Sequence, residues 1–203
     1  MKLYSAKEAP NPRRVTIYLA EKGLKIDRVE FAPPFKDLKT PEFLIKNPAG
    51  KVPVLELDNG ICIAESAAIV EYLEEVYPAT PMIGTTAVER AHVRTLERIA
   101  SDLFARLVLY LRHSNPEFMA SHGMTSHPII AAEMAPSVEH TLNVLETRIG
   151  DNLFLAGPHP TIADCTLFAL LNASTRLNYS LPEGFPRLRG WYQRFSERPS
   201  AVA

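Results

Sequence analysis

Two short stretches hold residue types suited to gripping a small zwitterion. In Asn47-Pro48-Ala49-Gly50-Lys51-Val52-Pro53-Val54, a proline directly before a strand has no N–H for the sheet ladder, so an edge stays open there. If the Val52-Pro53 bond is cis, the turn presents the Val52 N–H and C=O outward, where an extended peptide can pair as a miniature added strand. Further on, Ala64-Glu65-Ser66-Ala67-Ala68-Ile69 runs from a strand end into a helix start with Ser66 as its N-cap. Backbone N–H groups and the Ser66 hydroxyl suit a carboxylate, and Glu65 just outside suits an ammonium. Each stretch alone also reads as ordinary punctuation, a proline turn and a serine cap. Together they describe one groove for a free amino-acid head group and a short peptide backbone.

The elements that must position these stretches alternate in type up to Tyr77. Lys2–Tyr4 reads as a strand, and Pro12–Lys22 as a helix with Val15, Tyr18 and Leu19 at helical spacing, stopped by Gly23. Arg28–Ala32 is a second strand and Pro41–Lys46 a short helix ended by Asn47-Pro48. Val54–Leu57 and Ile61–Ala64 form a hairpin across Asp58-Asn59-Gly60, and Ser66 opens a helix lined by Ile69, Leu73 and Val76. This order describes an α+β domain, a small mixed four-stranded sheet covered by helices. A linker rich in Pro, Thr and Gly, Ala79–Thr86, then leads to an all-α bundle with helices over Ala87–Leu111, Ile129–Arg148, Ile162–Leu177 and Pro186–Arg198. The expected domains are residues 1–78 and 87–203 with a linker at 79–86.

Composition narrows the function classes. Of 203 residues, 22 are Lys or Arg and 23 Asp or Glu, so no whole-protein field draws the chain to nucleic acid or anionic lipid. No apolar run approaches the roughly 18 residues of a membrane span. The start, Lys2-Leu3-Tyr4, is strand-like rather than a signal segment, and two distant cysteines, Cys62 and Cys165, read as buried free thiols. A cytoplasmic protein is expected. His92, His122, His127, His140 and His159 show no ligand spacing, so no metal is expected. Asn172-Ala173-Ser174 and Asn178-Tyr179-Ser180 match the glycosylation pattern only by chance.

Pro10-Asn11-Pro12-Arg13-Arg14-Val15, Leu19-Ala20-Glu21-Lys22-Gly23, Pro41-Glu42-Phe43-Leu44, the turn at Lys51-Val52-Pro53, and Glu65-Ser66 resemble, at the same spacing, segments of the cytosolic glutathione transferase superfamily. Thr161-Ile162-Ala163-Asp164 is similar to that family's capping box, read here as structural. The likeness covers essentially the whole chain. With Leu111-Arg112-His113-Ser114 it comes nearest the yeast-type subgroup, widespread in bacteria, that lacks the usual catalytic Tyr, Ser or Cys. The resemblance implies a thioredoxin-like first domain and glutathione as co-substrate. Val52 would pair with the cysteinyl backbone, with Pro53 setting the turn, Glu65 and Ser66 would hold the γ-glutamyl end, and Lys51 would lie near the glycine carboxylate. One family position departs: Leu38 stands where many members carry Gln or His, with Lys39 beside it as a substitute.

For thiol activation, Asn11, Ser5 and a water held by His113 or Ser114 are the candidates. The Asn11 amide can donate to a sulfur over the helix start, and Asn11-Pro12 equally suits an N-cap followed by a first-turn proline. The implied activity is attack of glutathione thiolate on small electrophilic, mostly hydrophobic substrates, against a wall including Phe104, Leu107, Val108 and Leu111. Those residues also suit a bundle core. Glutathione-dependent disulfide reduction and a non-catalytic binding module are the alternatives. A homodimer using the Ala87 and Ser66 helices is implied by the family.

Overall fold

The computed structural model describes every residue of the chain except Glu8. Strand β1 (Lys2–Ser5) leads into helix α1 (Pro10–Lys22). Gly23, at a left-handed φ of 68°, closes that helix, and the Gly23 and Leu24 amides take the Ala20 and Leu19 carbonyls. Strand β2 (Asp27–Glu30), helix α2 (Pro41–Lys46), strands β3 (Val54–Glu56) and β4 (Cys62–Ala64) and helix α3 (Ser66–Val76) follow. The strands lie in the order β2-β1-β3-β4, with β1 parallel to β2 and antiparallel to β3. The expected mixed sheet is therefore present.

Register decides what the sheet can position. Tyr4 pairs with Val54, and Val54 pairs with Ala64. Ser5, Pro53 and Glu65 each lie one residue beyond these partners, so β1, the Val52-Pro53 turn and the start of α3 emerge at one end of the sheet.

The second half holds α4 (Ala87–His113), α5 (Pro116–Ser121), α6 (Pro128–Ile149), α7 (Ile162–Ser174) and α8 (Pro186–Ser196). Short α5 and the 3-10 turns at Lys36–Lys39 and Pro199–Val202 had no counterpart in the sequence reading, being too brief for a periodic pattern. Helix α7 packs on both α1 and α4 and is buried on every side from Ile162 to Leu171. One apolar core accordingly runs from Leu3, Val15 and Ile69 through Leu103 and Phe168 to Trp191.

Three buried carboxylates in and around this core are each held by several donors. The fully buried Asp164 carboxylate accepts from the Leu155 amide at 2.9 Å, the Trp191 indole at 2.8 Å, and the Thr161 amide and hydroxyl at 2.8 Å each. Burial pushes the Asp164 carboxyl up while these four donors pull it down. Glu74, on α3, accepts from Tyr18, from Lys22 and from the Met82 amide, and its ion pair with Lys22 leaves the two side chains 2% and 1% exposed. Glu21, on α1, takes a two-pronged bond from Arg198 at 2.6 and 2.7 Å and a further one from Ser200. Cys165 is buried as expected, but Cys62 is only half-buried, because β4 is the sheet edge.

Candidate functional site

The Lys51-Val52-Pro53 segment is shaped by Asn47. Its side-chain oxygen accepts from the Ala49 amide at 3.1 Å and its Nδ2 donates to the Lys51 carbonyl at 2.8 Å, closing a turn over Pro48-Ala49-Gly50. Gly50 sits at φ 58°, where a Cβ would lie 2.6 Å from the Lys39 ammonium and 2.8 Å from the Leu38 carbonyl. No other residue fits there. Lys39 Nζ donates to the Ala49 and Gly50 carbonyls at 3.3 and 3.2 Å, which ties it to the turn. The Val52-Pro53 bond is cis.

The start of α3 is built differently from the expected serine cap. Glu65, not Ser66, is the N-cap, at φ 70° and ψ 119°, and Ser66 is the first helical residue. A non-glycine residue in that region is strained and persists only where its surroundings hold it. The Ser66 residue is 5% exposed, yet its hydroxyl has no protein partner among the described residues. The first turn of α3 carries no side-chain cap and no acidic residue.

Helix α1 shares both properties. It begins at Pro10 with Ala9 as an uncapped N-cap, so Asn11 is the second helical residue and not the cap. Proline at the first position needs no hydrogen-bond partner, and the helix start consequently precedes the one expected at Pro12. Both helix starts border one cavity of about 220 Å³. Asn11, Glu65 and Ser66 line it from the sheet domain; Arg98, Ser101 and Phe104 of α4 and Thr166 of α7 face them. Arg14 closes the cavity beside Asn11, paired with Glu97, which also accepts from Ser101 at 2.8 Å. Spacing alone missed Arg14, Arg98, Ser101 and Thr166, although Arg98, Ser101 and Phe104 at three-residue steps form one helix face.

The remaining candidates fall elsewhere. Ser5 is 1% exposed, with no partner for its hydroxyl, and does not line the cavity. His113 ends α4, where its Nδ1 accepts the His127 amide at 3.1 Å, and neither His113 nor Ser114 lines the cavity. Lys51, Val52 and Pro53 flank the same sheet end without entering the cavity's wall. Of the expected wall residues only Phe104 lines it; Leu107 and Leu111 are buried in the bundle core.

A family profile described as the glutathione S-transferase N-terminal domain matches residues 3–81, and one for the C-terminal domain matches residues 129–194. Glutathione S-transferase 2 of Saccharomyces cerevisiae is 31% identical across 98% of this chain and 87% of its own length. The chain belongs to the glutathione S-transferase family. A maleylacetoacetate isomerase of Pseudomonas aeruginosa is 30% identical over 93% of this transferase-family chain and 88% of its own. In three dimensions, the crystal structure of Gtt2 from Saccharomyces cerevisiae superposes with a TM-score of 0.83 at 31% identity, covering 99% of this chain and 98% of that one. The yeast-type likeness carried by the helix-start segment thus extends to the whole fold. Among the described residues no group could hold a metal, and no helix is long and apolar enough to cross a membrane.

Proposed function

We propose that this chain binds glutathione across the cavity and the adjoining Val52 turn, and uses its thiolate to attack small electrophilic, mostly hydrophobic molecules. The observation that carries the reading is the pair of uncapped helix starts meeting at one cavity, with the Ser66 hydroxyl, free of any protein partner, on its wall. An anion at α3 suits the orphan Ser66, Ala67 and Ala68 N–H groups and the helix dipole, while α1, which opens Pro10-Asn11-Pro12, offers its dipole and the single Asn11 N–H. Ser66 and the α3 amides take the γ-glutamyl carboxylate, Glu65 its ammonium, the Val52 backbone the cysteinyl unit, and Lys51 with Lys39 the glycine carboxylate. Pro53 keeps the turn open to the ligand.

A free thiol ionises near about 8.5, and lowering that by about two units takes roughly 2.7 kcal/mol. The α1 dipole supplies at most about 2 kcal/mol in partly buried geometry. Asn11, in the first turn and on the cavity wall, is the available donor for the remainder. Burial of Ser5 and the backbone bond held by His113 favour Asn11 over either. The sulfur lone pair then forms the C–S bond as the leaving group departs with its electron pair. The same thiolate would attack a disulfide sulfur. A cytoplasmic setting fits two free thiols. The family's dimeric habit and the exposed Val76 and Val88 on α3 and α4 support a homodimer, which sedimentation would test.

Calorimetry with glutathione, followed by conjugation of an aromatic halide and reduction of a small disulfide, tests the reading. Binding with conjugation is expected, and Glu65→Ala should weaken binding about tenfold. Binding without either turnover would leave a glutathione-binding module instead.

A further inference from the structure

The helical half holds a second cavity, of about 340 Å³, with no residue in common with the first. It is lined by three aromatic residues, Tyr110, Tyr179 and Phe185, by Val138 and Leu142, and by one charged residue, Glu139. Neither tyrosine hydroxyl has a protein partner among the described residues, and the Glu139 carboxylate has no ion pair there. We propose that this cavity is a binding site for a small alkylammonium ion, a tertiary or quaternary amine free in solution.

Each wall component favours that class. Aromatic faces attract a cation through their quadrupoles, and a desolvated ring face prefers it to a neutral body of equal shape by roughly twofold to thirtyfold. Glu139 at the rim adds attraction for positive charge and opposes anions, and no lysine or arginine lines the cavity to reverse that sign. Burial and the neighbouring Tyr110 push the Tyr179 hydroxyl up to about 12, so near pH 7 it is neutral and Glu139 is the one charge lining the cavity. A primary ammonium would strand its N–H donors against Val138 and Leu142, whereas alkyl groups on the nitrogen meet those walls without loss.

Titration of the full chain with benzyltrimethylammonium and with neopentylbenzene, the same shape without the charge, tests the site. The cation should bind at least about tenfold tighter. Tyr179→Leu should weaken it about tenfold and Glu139→Gln about threefold, both leaving glutathione conjugation unchanged. Equal affinity for the two probes overturns the proposal. So does undiminished binding by Glu139→Gln, a surface variant that remains informative should Tyr179→Leu fail to fold. Co-sedimentation with phosphatidylcholine vesicles, which carry the same group on a lipid, overturns the assignment to a free ion.

Discussion

The starts of α4 and α7 differ from those of α1 and α3 in what closes them. Thr86 and Glu89 satisfy each other's backbone at the first turn of α4, and Thr161 and Asp164 do so at α7. Helices α1 and α3 begin with neither a cap nor an acidic side chain, and α3 begins at a strained Glu65. Helix α6 also begins without a cap or an acidic first turn, so what sets α1 and α3 apart is that their uncapped starts border one cavity. The contrast leads to the expectation that substitutions at the capped starts cost stability and substitutions at the cavity starts cost binding.

The largest test of that contrast is Asp164→Ala. It leaves the Leu155 amide, the Trp191 indole and the Thr161 amide without an acceptor, and chemical denaturation should record a loss of at least about 3 kcal/mol. A loss below about 1 kcal/mol would mean the closed start of α7 is not what stabilises it. Ser66→Ala is the opposite case, with glutathione affinity falling about tenfold in calorimetry while stability changes by under about 0.5 kcal/mol. If stability falls and affinity holds, the two classes of helix start are not distinct.

Asn11→Asp sharpens the comparison further by giving α1 the acidic first turn it lacks. The helix should gain about 0.3 to 1 kcal/mol, while the rising limb of the pH–rate profile moves to higher pH because a negative charge now faces the thiolate. Unchanged pH dependence would separate Asn11 from the sulfur. The smallest effect is expected at Glu21. Burial pushes its carboxyl up, but the Arg198 and Ser200 hydrogen bonds and the Arg198 charge outweigh burial and hold it below the ordinary carboxylate range. Its contribution to stability is therefore complete above the unfolded value near about 4.3 and is lost as pH falls through the lower folded value. Glu21→Gln should flatten that part of the stability–pH curve, read by thermal melts between pH 5 and 2, roughly the window where a depressed carboxylate titrates.

Much of the architecture was legible because the signals were local. Gly23, the Asn59-Gly60 turn and the Pro41 helix act within a few residues, and α2 spans the Pro41–Lys46 expected of it. Helix ends were less so: α7 gives way after Ser174 to a 3-10 turn, and β2 covers Asp27–Glu30 rather than Arg28–Ala32. The candidate site was half legible. Glu65, Ser66 and Asn11, singled out by type and spacing, do line one cavity. The opposing wall of Arg98, Ser101 and Thr166 exists only once α4 and α7 cross in front of α1, a tertiary fact with no local pattern. Ser5 and His113 lie off that cavity wall, through burial by other elements and a bond from a backbone amide fourteen residues away, and neither placement has a local signal in the sequence.

Trp191, the one tryptophan in the chain, is fully buried with its indole N–H on Asp164, and the cleft at Asn11 and Ser66 includes no part of it. Intrinsic emission will follow collapse and melting of the interior faithfully and stay nearly silent while a ligand fills the cleft. A fluorescence titration without response is thus the outcome this arrangement dictates, and occupancy has to be read by heat, by turnover or by a probe placed on the ligand.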